Sequence, residues 1–310
     1  MHKAKYIICA GLASLLLIYS CKTHYEVAKE NYSAVRTPSS FEHGKDLVYN
    51  SCSGCHYNHA ANKLIGNRLH DLPRVLGKLY SANLTNSEMY GVTRHYTDAQ
   101  LKYLLKTGIN KGGHYIPYML RPNMADDDIN DIIIYLRSDD AAVAAGDTSV
   151  DHTHLNFLGR MAINSKKPQP YIPNISRPTE SIANGRYLVD INGCFHCHSK
   201  GLTSLNYRYP EKSKRYMQGG MKFKTPQGQK IYASNLTPCQ STGIGNYTKD
   251  DFRKAVKDGK TPDGRELRPP MDKYHHLTDK ETDDIYAYLQ TLPREHHLIK
   301  GHKENEIKAH

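Results

Sequence analysis

The chain has 310 residues, of which 38% are hydrophobic and 24% charged, and its formal net charge is +11 with histidines neutral. Beyond the N-terminal segment, no stretch is long and apolar enough to cross a bilayer, which excludes a protein with several membrane spans. The excess of Lys and Arg describes the surface rather than the fold, and by itself it does not indicate nucleic-acid binding.

The first 20 residues have the pattern of an export signal. Lys3 and Lys5 precede an apolar run over residues 6–18. That run has the length of a secretory signal core and is short for a membrane helix. The segment therefore predicts an exported protein of the periplasm or cell envelope.

The signal ends in Ile18-Tyr19-Ser20-Cys21, which resembles a bacterial lipobox. The resemblance implies removal of residues 1–20 and a lipid anchor on Cys21, followed by an anchor or linker segment over residues 21–40. Two alternatives remain, which are an ordinary signal peptide cleaved nearby and a retained membrane helix.

Two Cys-x-x-Cys-His motifs follow, Cys52-Ser53-Gly54-Cys55-His56 and Cys194-Phe195-His196-Cys197-His198. In an exported protein this motif is typical of covalent c-type haem, because the two thiols bond the porphyrin and the adjoining histidine ligates the iron. The sequence thus predicts two haems, attached through Cys52, Cys55, Cys194 and Cys197, with His56 and His198 as iron ligands.

Two other interpretations of the motifs are less compatible with their residues. Paired Cys-x-x-Cys elements also hold zinc, but a histidine directly after each pair is a requirement of haem attachment and not of zinc. A disulfide across either pair would close a loop too short to restrain much of the chain. Among the other cysteines, Cys9 lies in the signal and Cys239 is interpreted as an incidental thiol.

The chain also contains an internal repeat, because the two motifs lie at matching places in segments 41–141 and 181–295. Capping-box residues precede a helix at Thr97 and again at Thr278. Each half ends in an apolar stripe with helical spacing. The stripes are Ile129, Ile132, Ile133 and Leu136 in the first half, and Ile285, Tyr288, Leu289 and Leu292 in the second.

These patterns predict an all-α fold with two tandem domains, each a small helical fold wrapped around a covalent haem. A domain of about 100 residues is small for a self-sufficient apolar core, so we expect the haem to complete it. Residues 142–180 carry four prolines without sustained periodicity, which predicts a linker, and residues 296–310 form a charged tail.

The region from Phe41 to Leu292 resembles a di-haem cytochrome c with two class I-like domains. The segments 234–238, 242–248 and 263–271 are similar to the cytochrome c subunits of membrane-bound alcohol and sugar dehydrogenases. The resemblance implies redox partner proteins, namely a dehydrogenase as donor and a respiratory acceptor. Membrane association would come through the lipid anchor, and no nucleic acid is expected.

The resemblance also implies a methionine as the sixth iron ligand, since a soft thioether favours ferrous iron. Met271, after Arg268-Pro269-Pro270, is predicted for the second haem, and Met119 for the first. Leu120 and Asp272 follow them, where the family usually has proline. The alternatives are Met217 and Met221 in the second half, and Met124, His95 and His114 in the first, where a histidine would lower the potential.

Two function classes are compatible with these residues. The first is an electron-transfer protein in which both irons are held by His and Met. The second is a catalytic di-haem oxidoreductase, either peroxidase-like or thiosulfate-oxidising, with an exchangeable or unusual ligand on one iron. The first is favoured over a stand-alone enzyme, because a methionine follows each motif and no acid–base constellation stands out.

Overall fold

The computed structural model describes residues 24–27, 31–70, 74–146, 148–164, 167–201, 204–224 and 228–302. The predicted signal over residues 1–20, the lipidation site Cys21 and the end of the predicted tail lie outside these ranges. Within them, no helix combines the length and the apolar character that a membrane span requires.

Helices dominate the described residues, as the sequence predicts. They are α1 (Ser40–Ser51), α2 (Ser53–His56), α3 (Asp98–Thr107), α4 (Asp126–Leu136), α5 (Phe157–Asn164), α6 (Ser181–Ile191), α7 (Cys194–His198), α8 (Lys249–Arg253) and α9 (Asp279–Gln290). A π-helical turn, Lys254–Asp258, continues α8, and a 3-10 turn, Pro117–Met119, lies between α3 and α4.

In the part of the chain that the structure describes, five short strands accompany the helices. An antiparallel sheet has the order β1 (Arg68–Leu69), β2 (Gly77–Tyr80) and β3 (His154–Leu155), with Gly77 opposite Leu155. A hairpin pairs β4 (Lys222–Lys224) with β5 (Lys230–Tyr232). Both β3 and α5 fall within the interval predicted as a linker, so this interval adds regular structure against the first half.

Two helix pairs organise the molecule, α1 with α4 and α6 with α9. Each pair crosses at a glycine. A Cβ atom on Gly44 would collide with the carbonyl oxygen of Asp131, and one on Gly185 would collide with that of Asp284. Absence of a side chain therefore allows the first and last helices of each half to approach closely.

Side-chain caps fix where helices begin. Thr97 and Gln100 form a complete capping box at α3, and Thr278 and Glu281 form one at α9, as the sequence predicts. The chain leaves α3 through Gly108, which adopts a left-handed conformation with φ of 77°.

The predicted apolar stripe of α4 faces inward, and so does that of α9, except that Leu292 lies beyond the end of α9 and is partly buried. The two helix pairs share one continuous core. Polar contacts join the pairs as well. The backbone N–H of Ala125 donates to Tyr187 Oη at 2.9 Å, and that hydroxyl donates to Asp128 Oδ2 at 2.5 Å. The second half thus packs directly on the helix that closes the first.

Candidate functional site

Both motif histidines are buried and held in the same way. His56 is 6% exposed and His198 8%. The Nδ1–H of His56 donates to Ala82 O at 2.7 Å, and that of His198 donates to Ser234 O at 2.8 Å. This bond directs Nε2 of each ring to the other side, which is the arrangement seen in metal-ligating histidines. Burial lowers the pKa of both rings, which favours the neutral form that binds metal.

Each accepting carbonyl belongs to a loop that is fixed by the residues after it. Asn83 Oδ1 accepts from the backbone N–H and hydroxyl of Thr85, at 2.8 and 2.7 Å. Asn235 Oδ1 accepts the same two bonds from Thr237, at 3.0 and 2.8 Å. The repeated Asn-Leu-Thr sequence therefore builds a rigid turn that orients the histidine.

The first cysteine of each motif sits at a helix end in apolar surroundings. Cys52 lies at the junction of α1 and α2, and Cys194 begins α7. Burial raises the pKa of Cys52 to about 11 and that of Cys194 to about 12. The thiols are consequently neutral, in an environment suited to an apolar ring system.

A cavity of about 230 Å³ opens beside the second motif. Cys194, Cys197, His198 and Met271 all line it, so the predicted attachment and ligand residues converge on one space. The rest of the lining is largely apolar and includes Val189, Ile244, Phe252, Ile285 and Leu289. This set fits a covalently bound haem, with two thiols to bond its edge, an imidazole held through Nδ1, and a thioether.

The backbone defines equivalent loops for the two predicted methionines. In the first half, Ile116 N–H donates to Gly108 O at 2.7 Å, and Leu267 N–H donates to Gly259 O at the same distance in the second half. A second backbone hydrogen bond closes each loop. Arg121 N–H donates to Leu105 O at 2.6 Å in the first, and Tyr274 N–H donates to Val256 O at 3.0 Å in the second. Met119 lies between the two bonds of the first loop, and Met271 between those of the second.

The same bonds locate the alternative methionines. Leu236 N–H donates to Met217 O at 2.8 Å, just as Leu84 N–H donates to Leu64 O at 2.8 Å, so Met217 stands where the first half has a leucine. Both side chains are fully buried, and Met217 also lines the cavity. Met217 therefore occupies a position that the first half fills with an apolar side chain.

Met124 shows the reverse exchange, in which the first half has the methionine and the second half a leucine. Its N–H donates to Arg121 O at 3.1 Å, and Leu277 N–H donates to Tyr274 O at 3.2 Å, so Met124 corresponds to the buried Leu277. Met221 is only partly buried, and His95 and His114 are exposed, with His95 Nε2 bonded to Glu88 O at 3.0 Å.

The two motifs lie side by side, which the sequence did not indicate. Ser51 Oγ, just before the first motif, donates to Asn192 Oδ1 at 2.7 Å, just before the second. Asp272, which follows Met271, lies against Gly54 inside the first motif. Among the described residues, the buried side-chain atoms without a hydrogen-bond partner are Asn50 Oδ1, Asn192 Nδ2 and His196 Nε2. All three belong to the motifs or to the residues just before them.

Part of the first half matches a known protein family. Residues 41–139 match the family model described as cytochrome c. The chain is 34% identical over 141 residues to the fructose dehydrogenase cytochrome subunit of Gluconobacter japonicus, which is 45% of this chain and 26% of that protein. It is 36% identical over 110 residues to the gluconate 2-dehydrogenase cytochrome c subunit of Pantoea cypripedii, covering 35% and 22%.

A third relative is the cytochrome c subunit of the quinone alcohol dehydrogenase of Gluconobacter oxydans, 35% identical over 110 residues, covering 35% of this chain and 20% of that protein. The chain therefore spans about a quarter or less of the length of these curated relatives. The resemblance drawn from the sequence is confirmed, in that a cytochrome c domain is present and relatives are named as cytochrome c subunits of dehydrogenases.

Proposed function

We propose that this chain, with its cytochrome c domain over residues 41–139, is an exported di-haem cytochrome c that transfers electrons between a dehydrogenase and a respiratory acceptor. The observation that carries the proposal is the repetition of one arrangement. Both Cys-x-x-Cys-His motifs end in a buried histidine whose Nδ1 is bonded to a fixed carbonyl oxygen.

The chain's own residues have defined roles in this proposal. Cys52 and Cys55 hold the first haem and Cys194 and Cys197 the second, through thioether bonds. His56 and His198 ligate iron through Nε2, while the bonds to Ala82 and Ser234 set the ring orientation. A bound haem supplies a one-electron iron couple. Met119 and Met271 are the proposed sixth ligands, and their soft sulfur raises the potential.

The partner and the compartment rest on separate support. The relatives are named as cytochrome subunits of fructose, gluconate and alcohol dehydrogenases, which supports a dehydrogenase as the electron donor. Export to the periplasm or cell envelope and a lipid anchor on Cys21 are supported by the apolar segment over residues 6–18 and the lipobox-like end of the signal.

Haem attachment is tested by removing the cysteines in pairs. We expect the Cys52→Ala/Cys55→Ala variant and the Cys194→Ala/Cys197→Ala variant each to keep one covalent haem, because the two sites have separate cysteine pairs. The fourfold variant should keep none. Haem stain on denaturing gels and the haem-to-protein ratio of the purified protein measure the count.

Cys239→Ala is the matched control, since Cys239 is a buried thiol outside both motifs, and that variant should retain two haems. Covalent haem stain in the fourfold variant would contradict the proposed attachment. A ratio of one in the unmodified protein would reduce the proposal to a single-haem cytochrome.

A further inference from the structure

One cation of the first half reaches the second motif. Arg121 follows Met119 by two residues, yet its Nε donates at 2.9 Å to the carbonyl oxygen of Ile191, the last residue of α6. A Cβ atom on Gly193, directly before Cys194, would lie 3.5 Å from Arg121 Nη2. The guanidinium is thus in contact with the backbone that leads into the second motif.

The same residue belongs to the loop that carries Met119, the proposed ligand of the first haem. Its backbone N–H closes that loop by donating to Leu105 O at 2.6 Å. The two motifs are neighbours here, because Ser51 Oγ, just before the first motif, donates to Asn192 Oδ1, just before the second, at 2.7 Å. One guanidinium therefore lies in the first ligand loop and against the backbone of the second motif.

The position is specific to the first half, and the charge is held rigidly. Backbone bonds make Tyr274 the counterpart of Arg121, so the second loop carries no cation at this point. In addition to the bond to Ile191, Arg121 Nη1 donates to Leu120 O at 2.9 Å and Tyr118 O at 3.3 Å. The carbonyl acceptors fix the guanidinium without adding a charge, and Asp190, a buried carboxyl group on which its charge acts, is hydrogen-bonded to Asn123 at 2.6 Å.

We propose that Arg121 is an electrostatic and positioning residue shared by the two haem sites, and that its charge raises the reduction potential of both. This inference rests on the proposed di-haem function. Reduction adds an electron to each iron, and a nearby positive charge stabilises the added negative charge. A methionine ligand acts on its own iron, whereas Arg121 shifts both couples in the same direction.

The test is an optical redox titration of the holoprotein carrying Arg121→Gln. At an effective dielectric constant of about 20, a unit charge at about 10 Å changes an equilibrium constant by roughly tenfold. We therefore expect the equilibrium constant for reduction to fall about tenfold at both sites, which is about 59 mV for a one-electron couple. Arg121→Lys, which keeps the charge, should restore most of both potentials.

Two further variants serve as controls for the effect of the Arg121 charge. Arg121→Met is a second neutral replacement that keeps an apolar stem, and it should give the same double shift if Arg121→Gln folds poorly. Arg94→Gln removes one charge from the surface, where Arg94 pairs with Glu88 at 2.8 Å and is half exposed. It should move neither potential appreciably, because solvent screens exposed charges.

The outcomes separate this inference from the proposed function. A haem count of two with only one potential shifted, or with neither shifted, overturns the shared role and leaves the di-haem function intact. Equal shifts in Arg121→Lys and Arg121→Gln overturn the electrostatic role, since the carbonyl bonds and not the charge would then matter. A haem count below two in the unmodified protein overturns both.

Discussion

The first and second halves hold their motif histidines with nearly identical bonds, yet they place different side chains around them. The Nδ1 to carbonyl distances are 2.7 Å for His56 and 2.8 Å for His198. Around this shared frame, Arg121 in one half corresponds to Tyr274 in the other. Backbone contacts repeat because they build the site, and unmatched side chains mark where the two sites are made different.

Two buried methionines have leucine as their counterpart in the other half. Leu64 corresponds to Met217, and Met124 corresponds to Leu277, and all four are buried. At these positions the fold conserves apolar volume and not sulfur, since leucine and methionine replace each other in a core at little cost. Among the methionines that the structure describes, only Met119 and Met271 lie in equivalent loops of the two halves, and this equivalence supports them as the proposed ligands.

The largest expected effect comes from removing these two methionines. In Met271→Ala the second haem should lose its thioether ligand, so that its potential falls and a high-spin fraction appears, while the first haem keeps its spectrum. Met119→Ala should do the same at the first haem. Near-infrared sulfur-to-iron charge-transfer bands and the redox titration report each site.

Met217→Leu and Met124→Leu are the matched controls, because each installs the residue that the other half already uses. Both should leave the charge-transfer bands unchanged. Loss of a band in Met217→Leu would transfer the ligand role to Met217. A substantial high-spin fraction in the unmodified protein, with rapid peroxide turnover, would replace electron transfer by the catalytic di-haem alternative.

The two halves also contain equivalent ion pairs, one buried and the other exposed to solvent. Lys106 and Lys257 each precede a left-handed glycine by two residues, and each binds the first residue of the following terminal helix. Lys106 Nζ lies 2.6 Å from Asp126 Oδ1 with its side chain fully buried. Lys257 Nζ lies 2.7 Å from Asp279 Oδ1, and Asp279 is two-thirds exposed.

We expect Lys106→Met to lower the free energy of unfolding by about 3 kcal/mol, the lower end for a broken buried ion pair, because Lys102 still binds Asp126 at 2.6 Å. The variant also removes the bond from Lys106 Nζ to Met124 O at 2.7 Å. Lys257→Met should have a much smaller effect, since water replaces the lost partner. Urea unfolding of the holoprotein measures both, and equal losses would contradict the comparison.

The sequence predicted what depends on local pattern. The motifs, the capping boxes at Thr97 and Thr278 and the apolar stripes of α4 and α9 were predictable, because they are set by residues a few positions apart. The contact between the motifs was not. Arg121 meets Ile191 across 70 positions, and His276 meets Asp46 at 2.8 Å across 230.

Such contacts depend on how the two helix pairs pack against each other. The residues that form them follow no periodic pattern from which the packing could be predicted. The strand β3 was missed for a related reason. Its two residues pair with β2 through backbone atoms, so they leave no pattern of apolar side chains to detect.

An effect on stability that depends on pH, and that vanishes near pH 4, distinguishes the two halves. Asp190 and Tyr49 lie five residues after the crossing glycines of α6 and α1, so they are counterparts. Burial raises the pKa of Asp190 to about 6, although a hydrogen bond from Asn123 Nδ2 at 2.6 Å and the charge of Arg121 both lower it.

The pKa of aspartate in an unfolded chain is about 3.9. Between that pH and about 6 the folded protein therefore binds more protons than the unfolded chain, and the free energy of unfolding should fall as pH rises through this window. Asp190→Asn removes this penalty. It should match the unmodified protein near pH 4 and exceed its free energy of unfolding above pH 6, by at most about 3 kcal/mol for a two-unit shift.

Urea unfolding at pH 4, 5, 6 and 7 gives the profile. Tyr49→Phe is the control in the other half, because burial raises the pKa of Tyr49 from a value already far above this range, so its effect should not vary with pH. A constant difference between Asp190→Asn and the unmodified protein at all four pH values would mean that Asp190 is ionised throughout. The carboxylate would then be stabilised by Arg121 and Asn123 strongly enough to offset its burial.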